Sequence, residues 1–439
     1  MADGPIDTDP QVPATQPDDT AGLSALTAAP WSNRDDLRMT GMRAIVTAPE
    51  GIPLVVVRVD TNTPGLYGLG CATFTQRFSA VAAAIDRHVA PLVVGRHPAD
   101  IEDITRMVHL SSYWRDGPVL NNALSGLDMA LWDIAGKRAG MPVYELLGGR
   151  VRTAVPTYTH AGGRDIAETL DRARSYVEQG WRHIRLQTGQ RGSGTYGSRP
   201  AAGDYPGRPH PGGWDVDDYL RGVPALFDAG RSALGPDVEL LHDVHSRLSP
   251  KDAIRLLRSL EPYNVFFVED VVPPDLYDRL PEIRLASSVP LAVGEQLSSM
   301  PSAVRMVRDL GVDYLRVHVS AIGGLTPARK LTALCELLGV KTAWHAPGDV
   351  SPIGAAANIA LDVSTHAFGI QECHVYDDRV HEVFSGTPDV VAGHLSPSDE
   401  PGWGIDIDEA LAKRFPPSRF AFERWTVGVR GTDGALFAP

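Results

Sequence analysis

Three stretches decide the fold: VELLHDVH at 238–245, NVFFVED at 264–270 and PLAVGEQ at 290–296. Each is a short apolar run that closes on a carboxylate, and the acids Asp243, Glu269 and Glu295 recur every 26 residues. Continuous rather than alternating hydrophobicity is the pattern of a strand buried on both faces. Between these runs lie helical segments, among them SPKDAIRLLRSL from Ser249, with Ser249 placed to cap the helix and Pro250 at its first position. The same grammar extends outward, with AVPTYTHA and HIRLQ before these runs and DYLRVHV, KTAWHA and FGIQEC after them. Eight strand–helix units over 151–387 predict an α/β chain built on a (β/α)8 TIM-type barrel. A doubly wound open sheet is the rival, but no GxGxxG follows the first strand.

Residues 39–150 read differently. Two β-branched strands around Pro49-Glu50-Gly51 suggest a hairpin, and helical stretches follow. In the last, Leu124, Leu127, Leu131 and Ile134 recur at helical spacing, with Gly148-Gly149 as the expected stop. Strands first and helices after indicate a small α+β domain. Residues 1–38 read as a flexible acidic tail rich in Asp, Pro, Thr and Ala, without the features of a signal peptide. The Gly-, Pro- and Arg-dense stretch from Gly189 to Trp214 is too long for an ordinary βα loop. The final segment, 388–439, lacks the strand–helix repeat and is expected to pack on the barrel mouth or the first domain.

A formal net charge of −13 argues against nucleic acid or an anionic membrane as partner. Three scattered cysteines, Cys71, Cys335 and Cys373, exclude a disulfide framework and suit a reducing cytoplasm. No apolar span is long enough to cross a bilayer.

In a barrel the chemistry sits where the strands end. Three acids on neighbouring strands offer hard oxygen donors that suit Mg²⁺ and leave positions for a substrate. Taken singly, each acid would more often pair with an arginine or cap a helix. Clustered together without a cation they would repel. His245 lies two residues after Asp243 and shares its strand face, so it is a candidate general acid. His318 shares parity with Arg316 but has a structural histidine as its default reading. His242 has the opposite parity to Asp243 and also reads as structural.

The motifs LLHDVH, FFVED and LAVGEQ, with LDMALWDIAGKRAGMPVYELLGG before them, resemble the enolase superfamily from about Thr40 to the C-terminus. HIRLQTG, DVH, WHAPGDVSP and PGWGIDIDE look like its mannonate dehydratase subgroup, also known as starvation-sensing proteins. The resemblance implies a modified barrel with an α+β capping domain. It implies Mg²⁺ on Asp243, Glu269 and Glu295, and a catalytic set of Arg185, Tyr196 and His245. It also implies substrate contacts from Thr75, His160, Arg316, His345, Asp349, Glu372 and Trp403. A guanidinium beside Tyr196 would favour the phenolate that a base requires; Tyr205 in the same loop is the alternative.

Departures refine this reading. Arg185-Leu186-Gln187 stands where a Lys-x-Lys base is frequent, and Arg316 where a racemase dyad needs aspartate. Thr75 replaces an expected asparagine, Pro347 occupies a position that varies between proficient and poor members, and Trp403 and the ending ALFAP differ from the subgroup form. The expected activity is dehydration of a sugar acid such as D-mannonate or D-gluconate to a 2-keto-3-deoxy acid, by a cytoplasmic homo-oligomer. The alternatives are dehydration or epimerisation of another acid, and a binding protein with vestigial catalysis.

Overall fold

The computed structural model describes residues 34–190, 212–418 and 429–438. Strands β1 (Met39–Thr47), β2 (Leu54–Thr61) and β3 (Tyr67–Cys71) form an antiparallel sheet in the order β1-β2-β3. The β1–β2 hairpin expected from the sequence is present; β3, whose glycines hide its strand character, completes the sheet. Those glycines are required by packing. A Cβ on Gly70 would lie 2.0 Å from the carbonyl of Gly126, on the helix that crosses the sheet.

That helix, Pro118–Ala139, is buried almost all round, with Leu127, Met129 and Leu131 at 0% exposure. It ends earlier than Gly148-Gly149. Gly140 takes the left-handed conformation (φ 68°) and ends the helix, and Pro142 stands at the start of the next short one. Only the short turn of helix Val143–Leu146 precedes the double glycine.

The second sheet is the barrel. Strands β4 (Val155–Gly163), β5 (His183–Thr188), β6 (Glu239–Asp243), β7 (Phe267–Glu269), β8 (Leu291–Val293), β9 (Tyr314–Leu315), β10 (Lys341–Thr342) and β11 (Gln371–Glu372) run parallel in the order β10-β9-β8-β7-β6-β5-β4-β11. A parallel bridge between Thr342 and Phe368 joins the two ends of the path. All eight coincide with the runs read from the sequence. Their burial on both sides explains the continuous hydrophobicity: the barrel interior is filled by Tyr158, Leu241, Phe267, Ala292, Ala343 and Ile370. Ser249 caps the helix Pro250–Leu260 through the amide of Asp252, as its sequence suggests.

The last segment takes a course away from the strand C-termini. Strand β13 (His394–Leu395) pairs antiparallel with Pro156 and Val155, at the start of β4. Strand β14 (Asp406–Ile407) pairs with β12 (Phe384–Ser385), and Glu409 then binds Arg43 and Arg58 of the three-stranded sheet. Among the described residues no helix is long and apolar enough to cross a membrane.

Candidate active site at the strand C-termini

The ends of β5, β6, β7, β8, β9 and β11 bring five carboxylates and two guanidiniums into one cluster. Asp243 and Glu269 are direct register partners on β6 and β7. Glu295 reaches them differently. Glu269 pairs with Ala292, so Glu295 lies three residues beyond that level, past the end of β8. Gly294 makes the connecting turn at φ 139°, where a Cβ would meet Val317 at 3.1 Å. Equal spacing in sequence therefore does not mean equal register.

Arg185 and Arg316 hold the acids together. Arg185, 4% exposed, donates a short hydrogen bond to Glu269 Oε2 and lies 3.4 Å from Glu372 Oε1 and 3.6 Å from Asp243 Oδ2. Arg316 has no exposure; its Nη1 donates to Glu295 Oε2 at 2.6 Å and its Nη2 to Glu372 Oε2 at 2.8 Å. Tyr158 donates to Glu269 Oε1 at 2.7 Å and accepts from Arg316 Nε at 3.1 Å. His160 Nε2 meets Glu372 Oε1 at 2.9 Å. His245 arrives by a route other than strand parity. Strand β6 ends at Asp243, and His245 and Ser246 turn through φ 56° and 61°. The His245 amide donates to Asp243 Oδ1 at 2.7 Å, and its Nε2 lies 3.9 Å from Glu295 Oε1.

Burial and charge divide these groups. Burial pushes the Glu269 carboxyl up to about 7 against the pull of Arg185 and Arg316. Glu295 is also buried, but the charges of His345, Arg316 and His245 bring it down to about 2. Burial, followed by Arg185, lowers His160 to about 4, and burial lowers His245.

This donor set fits a divalent cation. Asp243, Glu269, Asp270, Glu295 and Glu372 outnumber the two guanidiniums by three formal charges, and all but Glu295 are fully buried. Asp270 Oδ2 is buried without a hydrogen bond, with Arg316 Nη1 at 3.5 Å. Hard oxygen donors in carboxylate excess suit Mg²⁺.

His345, on the far side of Glu295, places Nε2 3.4 Å from Glu295 Oε2, and Asp349 lies beside it. Thr75 and Trp403 do not join the cluster. Thr75 is 1% exposed and its hydroxyl donates to Pro53 O at 3.2 Å, beneath the β1–β2 turn. Trp403 is 3% exposed; its indole N–H donates to Leu69 O and Met129 O, between β3 and the long helix. The motif holding Trp403 thus packs the capping layer and offers no indole edge to a substrate. Tyr196 and Tyr205 lie outside the described residues. The sequence reading missed Asp270, although it adjoins Glu269, and Tyr158, which shares strand parity with His160.

Comparison with known proteins places this geometry. Residues 168–411 match the family described as enolase C-terminal domain-like, and residues 34–148 match the mandelate racemase/muconate lactonizing enzyme N-terminal domain. The chain belongs to the enolase superfamily. Within it, a D-galactonate dehydratase family member from Catenulispora acidiphila is 66% identical, over 96% of this chain and 98% of the relative. D-galactonate dehydratase family member RspA of Pantoea ananatis is 48% identical, over 92% and 100%. A crystal structure of an enolase from Pantoea ananatis, with bound D-gluconate and Mg, superposes with a TM-score of 0.87 at 48% identity, covering 92% of this chain and all of that one. The enolase-superfamily fold read from the sequence is the fold present, and the dehydratase family is one of hydro-lyases. The relatives carry the D-galactonate name rather than a mannonate one.

Proposed function

We propose that the protein is a Mg²⁺-dependent dehydratase of a six-carbon sugar acid of the D-mannonate or D-gluconate type, releasing water and a 2-keto-3-deoxy acid. The observation that carries this reading is the buried cluster of Asp243, Glu269 and Glu295, with its surplus of negative charge at the barrel mouth. The Pantoea ananatis relative, which holds D-gluconate and Mg, supports the ligand class.

Asp243, Glu269 and Glu295 would hold Mg²⁺, which when bound neutralises the substrate carboxylate as negative charge grows on it. The chain's own groups do the rest. Tyr196 takes the C2 proton, and Arg185 favours its phenolate. Arg316, His160 and Glu372 form a rigid floor that orients the carboxylate end, while His345 and Asp349 face the hydroxyls. His245 protonates the departing C3 hydroxyl, so that water leaves and the enol tautomerises to the ketone. For that step His245 must carry a proton when the C3 hydroxyl leaves.

D-mannonate and D-gluconate differ only at C2 and give one product, whereas D-galactonate differs from D-gluconate at C4 and gives another. Turnover of a sugar-acid panel in deuterated buffer, followed by NMR with and without chelator, identifies both substrate and product. Glu269→Gln should abolish the metal-dependent reaction while leaving the circular dichroism spectrum intact. Full activity in that variant, or no product from any acid with Mg²⁺ present, sinks the assignment. We also propose a homo-oligomer: Tyr113 and Trp114, adjoining in a turn, are 78% and 80% exposed, and ultracentrifugation tests it.

A further inference from the structure

We infer that His318, His345 and Asp349 form a second cation site, suited to a borderline transition metal such as Zn²⁺ rather than to Mg²⁺. One ligand atom from each residue lies within 4.8 Å of the others. His318 Nδ1 and His345 Nδ1 face each other at 3.0 Å. Two imidazole nitrogens so close either share a proton or span a cation. With Zn–N bonds of roughly 2.0–2.1 Å, this separation corresponds to an angle near a right angle. Movement by a few tenths of an ångström opens it to the tetrahedral value. Asp349 Oδ1 supplies the third donor; it is buried and has no hydrogen bond.

Two further features support the assignment. His345 Nε2 lies 3.4 Å from Glu295 Oε2. With Nδ1 on a metal, Nε2 carries the proton and faces that carboxylate, which is the carboxylate–histidine–metal relay that fixes ring orientation and raises ligand basicity. Finally, two nitrogens and one oxygen are a softer set than the all-oxygen set beside it, so the two sites select different ions.

The site itself stands on this geometry alone. Its consequence rests on the proposed function: His345 and Asp349 would face the sugar hydroxyls, so a transition metal there would exclude the substrate. Zn²⁺ would then inhibit competitively with the sugar acid, and excess Mg²⁺ would not relieve the inhibition.

The test uses Co²⁺ as a coloured probe of the full chain, saturated first with Mg²⁺. One further equivalent of Co²⁺ should bind and show the strong visible bands of low coordination. His318→Leu and, independently, Asp349→Asn should each weaken that binding at least tenfold, while Glu269→Gln leaves it in place. No further equivalent in the wild-type chain, or a Co²⁺ spectrum unchanged by both substitutions, overturns the site. Because the titration is read without substrate, it stands or falls apart from the dehydratase assignment. D-gluconate should displace the bound Co²⁺; retention of the full spectrum at saturating sugar acid would overturn the competition.

Discussion

Around Arg185 and Arg316, carboxylates, guanidiniums and the Tyr158 phenol are joined by several contacts of 2.6–3.6 Å, with Asp270 Oδ2 left over. Around His345 the pattern is the reverse, with two imidazoles sharing one contact and a buried Asp349 oxygen without a hydrogen bond. The first region is cross-linked by ion pairs, with a carboxylate excess left for a cation. The second is left for a ligand to complete. A site built this way can hold the reacting end of a substrate rigidly while its other end is read by groups that still have bonding capacity.

The cross-linked region is broken most severely by removing its central cation. Arg316→Leu leaves Glu269, Glu295 and Glu372 buried without their shared partner, and should cost about 3–5 kcal/mol in urea denaturation. Saturating Mg²⁺ should restore part of that loss, because a dication replaces some of the missing charge. A loss below about 1 kcal/mol would show that the cluster is far less dependent on charge pairing than its contacts indicate.

The open region has a roof that can be loosened. Glu50, in the β1–β2 turn, accepts from His374 Nε2 at 2.7 Å and from the Asp377 amide at 2.6 Å. Ile52 lies against Gly348, close enough that a Cβ there would meet it at 3.0 Å. Burial alone would raise the Glu50 carboxyl, but His374 and the Asp377 amide hold it below its ordinary 4.5. Its contribution is therefore complete above that pH and is lost as pH falls through the lowered value. Glu50→Gln should cost about 1 kcal/mol at pH 7 and flatten the loss of stability below pH 4.5. It should also raise KM for the sugar acid more than it lowers kcat, since it acts on the region that reads hydroxyls. Thr75→Val removes the hydroxyl bond to Pro53 beneath the same turn and should cost about 0.5–1.5 kcal/mol in thermal or urea unfolding. A change in the ranking of sugar acids without that loss would mean that Thr75 acts directly.

The barrel was legible because each of its strands is buried on both faces and announces itself as an apolar run. β3 was not, since its sequence YGLGC trades side chains for the close approach of a helix. At the site, Asp243, Glu269 and Glu295 could be singled out because a carboxylate closing an apolar run is conspicuous. The turn at Gly294 and the left-handed His245 are backbone features, and spacing does not encode them. Trp403 shows the opposite failure. A motif shared with a family marks a residue as important without saying whether it touches a ligand or packs a neighbouring layer. Here the three hydrogen bonds that its amide and indole donate, to Asp133, Leu69 and Met129, place it in the packing of the capping layer.

Trp403 also sets a timetable for folding. Its partners Leu69 and Met129 precede it by 334 and 274 residues, and Thr47 waits for the carbonyl of Ala412, 365 residues later. Strands β1 and β3 therefore lie beside groups that a much later part of the chain covers. Contacts of such long sequence separation are slow to close. A chain halted before Trp403 would carry the whole barrel yet leave the carbonyls of Leu69 and Met129 without their indole donor, an exposed seam for the chaperones that patrol nascent proteins.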